Sequence, residues 1–139
     1  MRIVLDTNVL LVSISDRSPY HWIYLGLTQG KYELCVTTEI LLEYTEIIEQ
    51  HMGVGVSESL QGTLDNLPNV NLITSYFRFD LIQKDRDDNK FVDCAIAANA
   101  HYIVSEDKDF RVLRKIEFPK VEVLGVEEFK EKLEKEGGT

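Results

Sequence analysis

Cysteine, proline and tryptophan are scarce in this chain of 139 residues, at two, three and one. Cys35 and Cys94 each lie inside an apolar segment, with no C-x-x-C spacing. That excludes a thiol-redox motif and a zinc-binding cysteine set, and leaves two small core residues of a reducing compartment. No apolar run approaches the ~20 residues that a membrane span needs. "MRIVLDTN" has one basic residue and four apolar ones before Asp6, which is not the pattern of a signal peptide. The expected location is cytoplasmic. Neither GxGxxG nor GxxxxGK[ST] occurs, so the glycine loops that cradle nucleotide phosphates are missing. There is no GxSxG elbow either, and His21, His51 and His101 are scattered.

Positive charge is also in short supply. The formal net charge is -9, which argues against a simple nucleic-acid-binding module because phosphate backbones repel an acidic surface. The placement of the cations softens that exclusion. Residues 1–77 hold only Arg2, Arg17 and Lys31, whereas residues 78–115 hold eight cations among eight acids. From residue 121 the chain is acidic again, and "EEFKEKLEKE" reads as a solvated helix with interleaved charges.

The length suits one domain, residues 1–139, with 137–139 expected to form a disordered tail. "RIVL", "YELCVT", "VNLI", "YIVS" and "VEVL" are short apolar runs that read as buried strands. Between them lie helical stretches. "PYHWIYLGLTQG" ends at Gly30; "TEILLEYTEIIEQHM" is amphipathic, capped by Thr37 or Thr38 and stopped near Gly53; "SESLQGTLDNL" is a weaker helix. "KFVDCAIAANA" is apolar on nearly every side, and "DFRVLRK" is short. Strands alternating with helices predict an α/β fold, a three-layer α/β/α domain around a parallel sheet of about five strands. In such sheets function collects at the carboxyl ends of the strands, beside a switch in strand order.

Acids stand at that edge. Asp6 follows the first strand and Asp107 lies two residues past Ser105, the end of the fourth. Either could simply cap the next turn, and Asp109 could cap "FRVLRK". On the helical wheel Glu43 is the one glutamate beside the apolar arc of Ile40, Tyr44 and Ile47. Asp93 sits among Ile96, Ala97 and Ala100, where an unpaired charge is costly. Pairing with Lys90 or a distant base would satisfy it, as would a raised pKa that leaves it neutral. A divalent cation shared with the other acids is the further account. Asp88, at the start of this helix, reads as a cap beside the same spot. Four carboxylates brought together repel one another unless a cation intervenes. Hard oxygen ligands suit Mg²⁺ or Mn²⁺, which promote in-line phosphodiester displacement. A phosphoacceptor domain would also gather acids here, although an aspartyl-phosphate phosphatase wants a second Asp where this chain has Asn8.

"IVLDTNVLL", "TEILLEYTEII", "DRDDNKFVDCAIAANAHYIVSEDKDF" and "VEVLGVEEF", in that order and spacing, resemble the PIN-domain family. The resemblance covers nearly the whole chain and is to the branch of VapC-like ribonucleases, toxins of prokaryotic toxin–antitoxin pairs. It implies a Rossmann-like fold and Mg²⁺- or Mn²⁺-dependent cleavage of single-stranded RNA. It also implies a homodimer and inhibition by a co-encoded antitoxin. By position Asp6 matches the family's first acid, Glu43 the second and Asp107 the last. The third falls on Asp93, with Asp88 as second choice. Asn8 and Ser105, which stands where a Thr is usual, are expected to orient water or carboxylates; Glu106 replaces a common Gly. Cations between Lys84 and Lys115 are expected to contact the substrate backbone. A PIN-like module that holds a protein or RNA without cutting it is the rival reading.

Overall fold

A computed structural model of the protein describes residues 1–82, 86–117 and 119–137. Lys84 and the last two positions of the expected tail lie outside the described residues. Five strands, β1 (Arg2–Leu5), β2 (Glu33–Val36), β3 (Val70–Leu72), β4 (Tyr102–Val104) and β5 (Val123–Leu124), form one parallel sheet in the order β3-β2-β1-β4-β5. Helices cover both faces of the sheet, and every residue of β1 after Arg2 is buried. Such strands must read as continuous apolar runs, and "RIVL" and "ELCV" do.

The helices are α1 (Thr7–Ser13), α2 (His21–Thr28), α3 (Thr38–Met52), α4 (Val54–Asn66), α5 (Asn89–Ala98) and α6 (Val126–Gly137), with 3₁₀ turns at Arg86–Asp88 and Lys108–Lys115. The three-layer α/β/α architecture is the expected one. Among the described residues no helix is long and apolar enough to cross a membrane. Both cysteines are free and buried, and Trp22 of the aromatic α2 stretch packs on Phe129 of α6, ring centres 5.7 Å apart.

Local chemistry explains most boundaries. Thr37 caps α3 by accepting from Ile40 N (3.2 Å). Gly53 ends it at φ 92°, where a Cβ would be strained, and that one residue joins α3 to α4. Tyr44, fully buried on α3, donates its hydroxyl to Leu5 O at 2.5 Å. This bond pins α3 to the carboxyl end of β1 and brings its neighbour Glu43 there. Three details differ from the sequence reading. The chain turns directly from β1 into α1, α4 begins at Val54, and the segment after Asp107 winds as 3₁₀.

The order places β1 at the centre. The chain runs outward through β2 and β3, then returns to β4 on β1's other side. The switch point is therefore the β1–β4 junction, where Leu5 pairs with Val104. The residues just beyond that pair are Asp6 and Ser105.

Candidate metal centre

Register alone makes Asp6 and Ser105 neighbours, and Asp6 N donates to Val104 O (3.1 Å). Ser105 Oγ donates to Asp6 Oδ2 at 2.8 Å and accepts from Asp107 N at 2.9 Å. One hydroxyl thus ties together the acids that follow the two central strands. Asp6 opens α1 with its carbonyl, which accepts from Val9 N and Leu10 N, but its side chain makes no capping bond. The carboxylate is free of that structural duty. Burial raises its pKa; Asp107 and Glu43 add to this, while Ser105 and Thr7 N oppose it. Asp6, Asn8 and Asp107 line a cavity of about 380 Å³.

Asp107 performs both duties considered for it. Its Oδ1 accepts from Asp109 N (2.9 Å), capping the 3₁₀ turn, and it stands in a group of acids. Asp88, Asp107 and Asp109 each present one carboxylate oxygen, all within 4.8 Å of one another. A hard octahedral dication with bonds of about 2.1 Å spaces neighbouring ligand oxygens about 3 Å apart and opposite ones about 4 Å. The three are therefore close to ligand spacing, so the donor set could coordinate a divalent metal. Asp109, taken from sequence as a cap, belongs to this group and Asp107 is the cap.

Glu43 is held from two sides. Thr7 Oγ1 donates to its Oε2, and Lys90 Nζ lies 2.6 Å from its Oε1. Lys90 also reaches Asp87 Oδ1 at 2.8 Å. Burial would lower the Lys90 pKa, but the bonds to Asp87 and Glu43 outweigh it and the ammonium is stabilised. Asp87 is correspondingly lowered, mainly by its bond from Lys90.

Asp93 stands apart from this group. It is 5% exposed, and Lys90 does not satisfy it. Instead Phe79 N donates to Asp93 Oδ1 at 3.1 Å. Burial raises its pKa, opposed by the Phe79 N–H and Arg78, and Asp80 and Glu39 raise it further. It lines a separate cavity of about 200 Å³ with Thr37, Thr74, Ser75, Arg78 and Lys90. Asp88 approaches Asp107 because the Arg86–Asp88 turn precedes α5 at the sheet's edge; Asp88 makes no side-chain cap of α5.

A family profile described as PIN domain matches residues 2–109. The chain belongs to the PIN-domain family. No curated protein matches its sequence. Among solved structures it is similar to a chain of the VapBC2 complex from Rickettsia felis, determined bound to a DNA fragment from its promoter. There the TM-score is 0.62 at 17% identity, covering 90% of this chain and 98% of that one. The shared feature is the VapC-like fold. In this PIN domain Glu106, which follows Ser105, accepts through Oε1 from Val126 N (2.7 Å) at the start of α6. That bond secures the start of the last helix.

Sequence reasoning missed two participants. The sequence offers Lys90 only as a partner for Asp93, on its own helix. Its i,i+3 spacing from Asp87 was visible, but the bond to Glu43 crosses between helices. Asp109 is legible in the sequence only as a helix cap, since "DKD" is too common a pattern to mark a ligand.

Proposed function

We infer that this PIN domain is a Mg²⁺- or Mn²⁺-dependent endoribonuclease of single-stranded RNA and the toxin of a toxin–antitoxin pair. The observation that carries the reading is the group of Asp88, Asp107 and Asp109, which Ser105 links to Asp6 at the β1–β4 switch point, in a fold of this family. Those four acids would hold the metal, with Glu43 beside them. When bound, a dication there lowers the pKa of water and stabilises charge on a phosphodiester's oxygens.

The chain's own groups do the positioning. Ser105 fixes Asp6 against Asp107, so that the two present oxygens without rearrangement. Thr7 and Lys90 hold Glu43 in one rotamer. Asn8 is exposed on the same cavity wall as Asp6, where its amide can orient water. Arg111 and Arg114 line a cleft with Ser105 and Asp107 and supply the cationic contacts that an RNA backbone needs. Asp93, the first choice from sequence for the third acid, is left outside this ligand set in favour of the second choice, Asp88, because the electrostatic neighbours of Asp93 are Arg78, Asp80 and Glu39. A co-encoded antitoxin completes the reading, supported by the likeness to a chain of the VapBC2 complex, and the family resemblance implies a homodimer.

The test is cleavage of end-labelled single-stranded RNA. Cutting should require Mn²⁺ or Mg²⁺, stop with EDTA, and vanish in Asp6→Asn and Asp107→Asn. Cutting in EDTA, or by both variants at the wild-type rate, would sink the proposal.

A further inference from the structure

The cavity at Asp93 has no part in the chemistry above, yet it has the features of a built site. Asp93 is nineteen-twentieths buried, since 5% of it is exposed. Phe79 N takes one of its oxygens, and no group among the described residues donates to the other. That second oxygen is not among the fully buried unpaired atoms of the described residues, so it remains accessible to a donor from outside the chain. The hydroxyl residues Thr37, Thr38, Thr74 and Ser75 and the guanidinium of Arg78 surround the same space of about 200 Å³. The donors and acceptors are mixed in sign, which suits the edge of a nucleobase better than a phosphate.

One wall of this cavity continues into an aromatic rim. Between Ser75 and Arg78, which both line it, stand Tyr76 and Phe77, 84% and 72% exposed. Phe79 follows, with its ring 6.3 Å from that of Phe77. Adjacent exposed rings beside a guanidinium are the arrangement on which unstacked bases settle. The cavity also borders the acid group through one side chain, because Lys90 lines it while bonding to Glu43. A strand cut at the acids would have neighbouring nucleotides within reach.

We propose that this cavity is a nucleobase subsite for single-stranded RNA, in which Asp93 accepts from a base's exocyclic amino group while Tyr76 and Phe77 stack on adjacent bases. The assignment rests on RNA being the substrate. Carboxylates read amino groups such as cytosine N4. Uracil has no amino group, and its ring N–H is flanked by carbonyl oxygens that a carboxylate repels. The site therefore favours cytosine and adenine over uracil.

The experiment measures binding apart from cleavage. Fluorescein-labelled C10, A10 and U10 RNAs are titrated with the full chain in EDTA, followed by anisotropy, and cleavage in Mn²⁺ is recorded in parallel. Wild type should bind C10 and A10 about tenfold or more tighter than U10. Asp93→Asn should remove most of that preference. Tyr76→Ala combined with Phe77→Ala, exposed positions with no fold to disturb, should weaken all three RNAs about tenfold or more. Wild-type affinity and preference in both variants overturn the subsite, and if Mn²⁺ cleavage persists the nuclease reading survives alone. RNA bound through these residues but never cut keeps the subsite and overturns the nuclease. If wild type neither binds nor cuts RNA, both fall, and the aromatic rim is left to a protein partner.

Discussion

The Lys90 ammonium sits 2.6 Å from Glu43 Oε1, with only a tenth of the lysine side chain and a fifth of the glutamate's exposed. Acids from four elements would repel across this edge, and here the chain supplies a cation of its own to one of them. Removing one partner of a largely buried pair leaves the other uncompensated, which is more damaging than the pair was worth. Lys90→Met should therefore cost about 2–4 kcal/mol of stability in urea unfolding. Adding Glu43→Gln to it should recover part of the loss. Strict additivity in that double-mutant cycle would show that the two groups are not coupled.

Ser105 bridges Asp6 and Asp107 N with one hydroxyl. Ser105→Ala deletes no acid but frees Asp6 to rotate, and groups that orient ligands typically matter tenfold or more in metal affinity. Calorimetric titration with Mn²⁺ should show about a tenfold weaker site, whereas Ser105→Thr, which keeps the hydroxyl, should bind nearly as wild type. Equal affinity in the Ala variant would remove the hydroxyl from the site's design.

The sequence makes some of this legible and hides the rest for physical reasons. A 3.6-residue period bounded by Thr37 and Gly53 announces α3, and with it Glu43 at the edge of the core face. Strand ends announce Asp6 and Ser105, since a parallel strand must be apolar until it leaves the sheet. By contrast the apolar run "VLLVS" that follows "DTN" is too short to display a helical period, so nothing in its pattern distinguishes α1 from a further strand or loop. The wheel correctly buries Asp93 but cannot say what it faces. The segment that donates to it, around Phe79, is irregular and carries no periodicity. Asp88 reaches Asp107 only through the tertiary fold.

Tyr44 is the joint between core and site, because its hydroxyl donates to Leu5 O at 2.5 Å one residue before Asp6. Tyr44→Phe leaves that buried carbonyl without its donor while preserving the ring's packing. The expected cost is about 1–2 kcal/mol, read from the urea midpoint at unchanged slope. A second effect should follow from the geometry: Glu43 rides on the same turn, so Mn²⁺ affinity should fall as well. Loss of stability with metal affinity untouched would mean that α3 keeps its place without this bond.

Asp6 offers the sharpest test of electrostatic cost. Its pKa is raised on folding, by burial first and then by Asp107 and Glu43. A carboxyl of this kind holds its proton more tightly folded than unfolded. Its contribution is fully present below the unfolded value of about 3.9 and is lost as pH rises through the raised folded value. Above that point the metal-free protein carries an ionised Asp6 that folding disfavours. Asp6→Asn cannot ionise, and its amide oxygen can still accept from Ser105. The variant should gain roughly 1 kcal/mol over wild type at neutral pH without metal, the size common when a functional residue is relieved. That advantage should shrink toward zero below about pH 4. Saturating Mn²⁺ should reverse the ranking, because binding stabilises only the chain that keeps its ligands. Thermal melts of both proteins across pH, with and without Mn²⁺, decide the matter. An Asn variant less stable than wild type at neutral pH in EDTA would show that Asp6 is built into the fold as an ordinary structural acid.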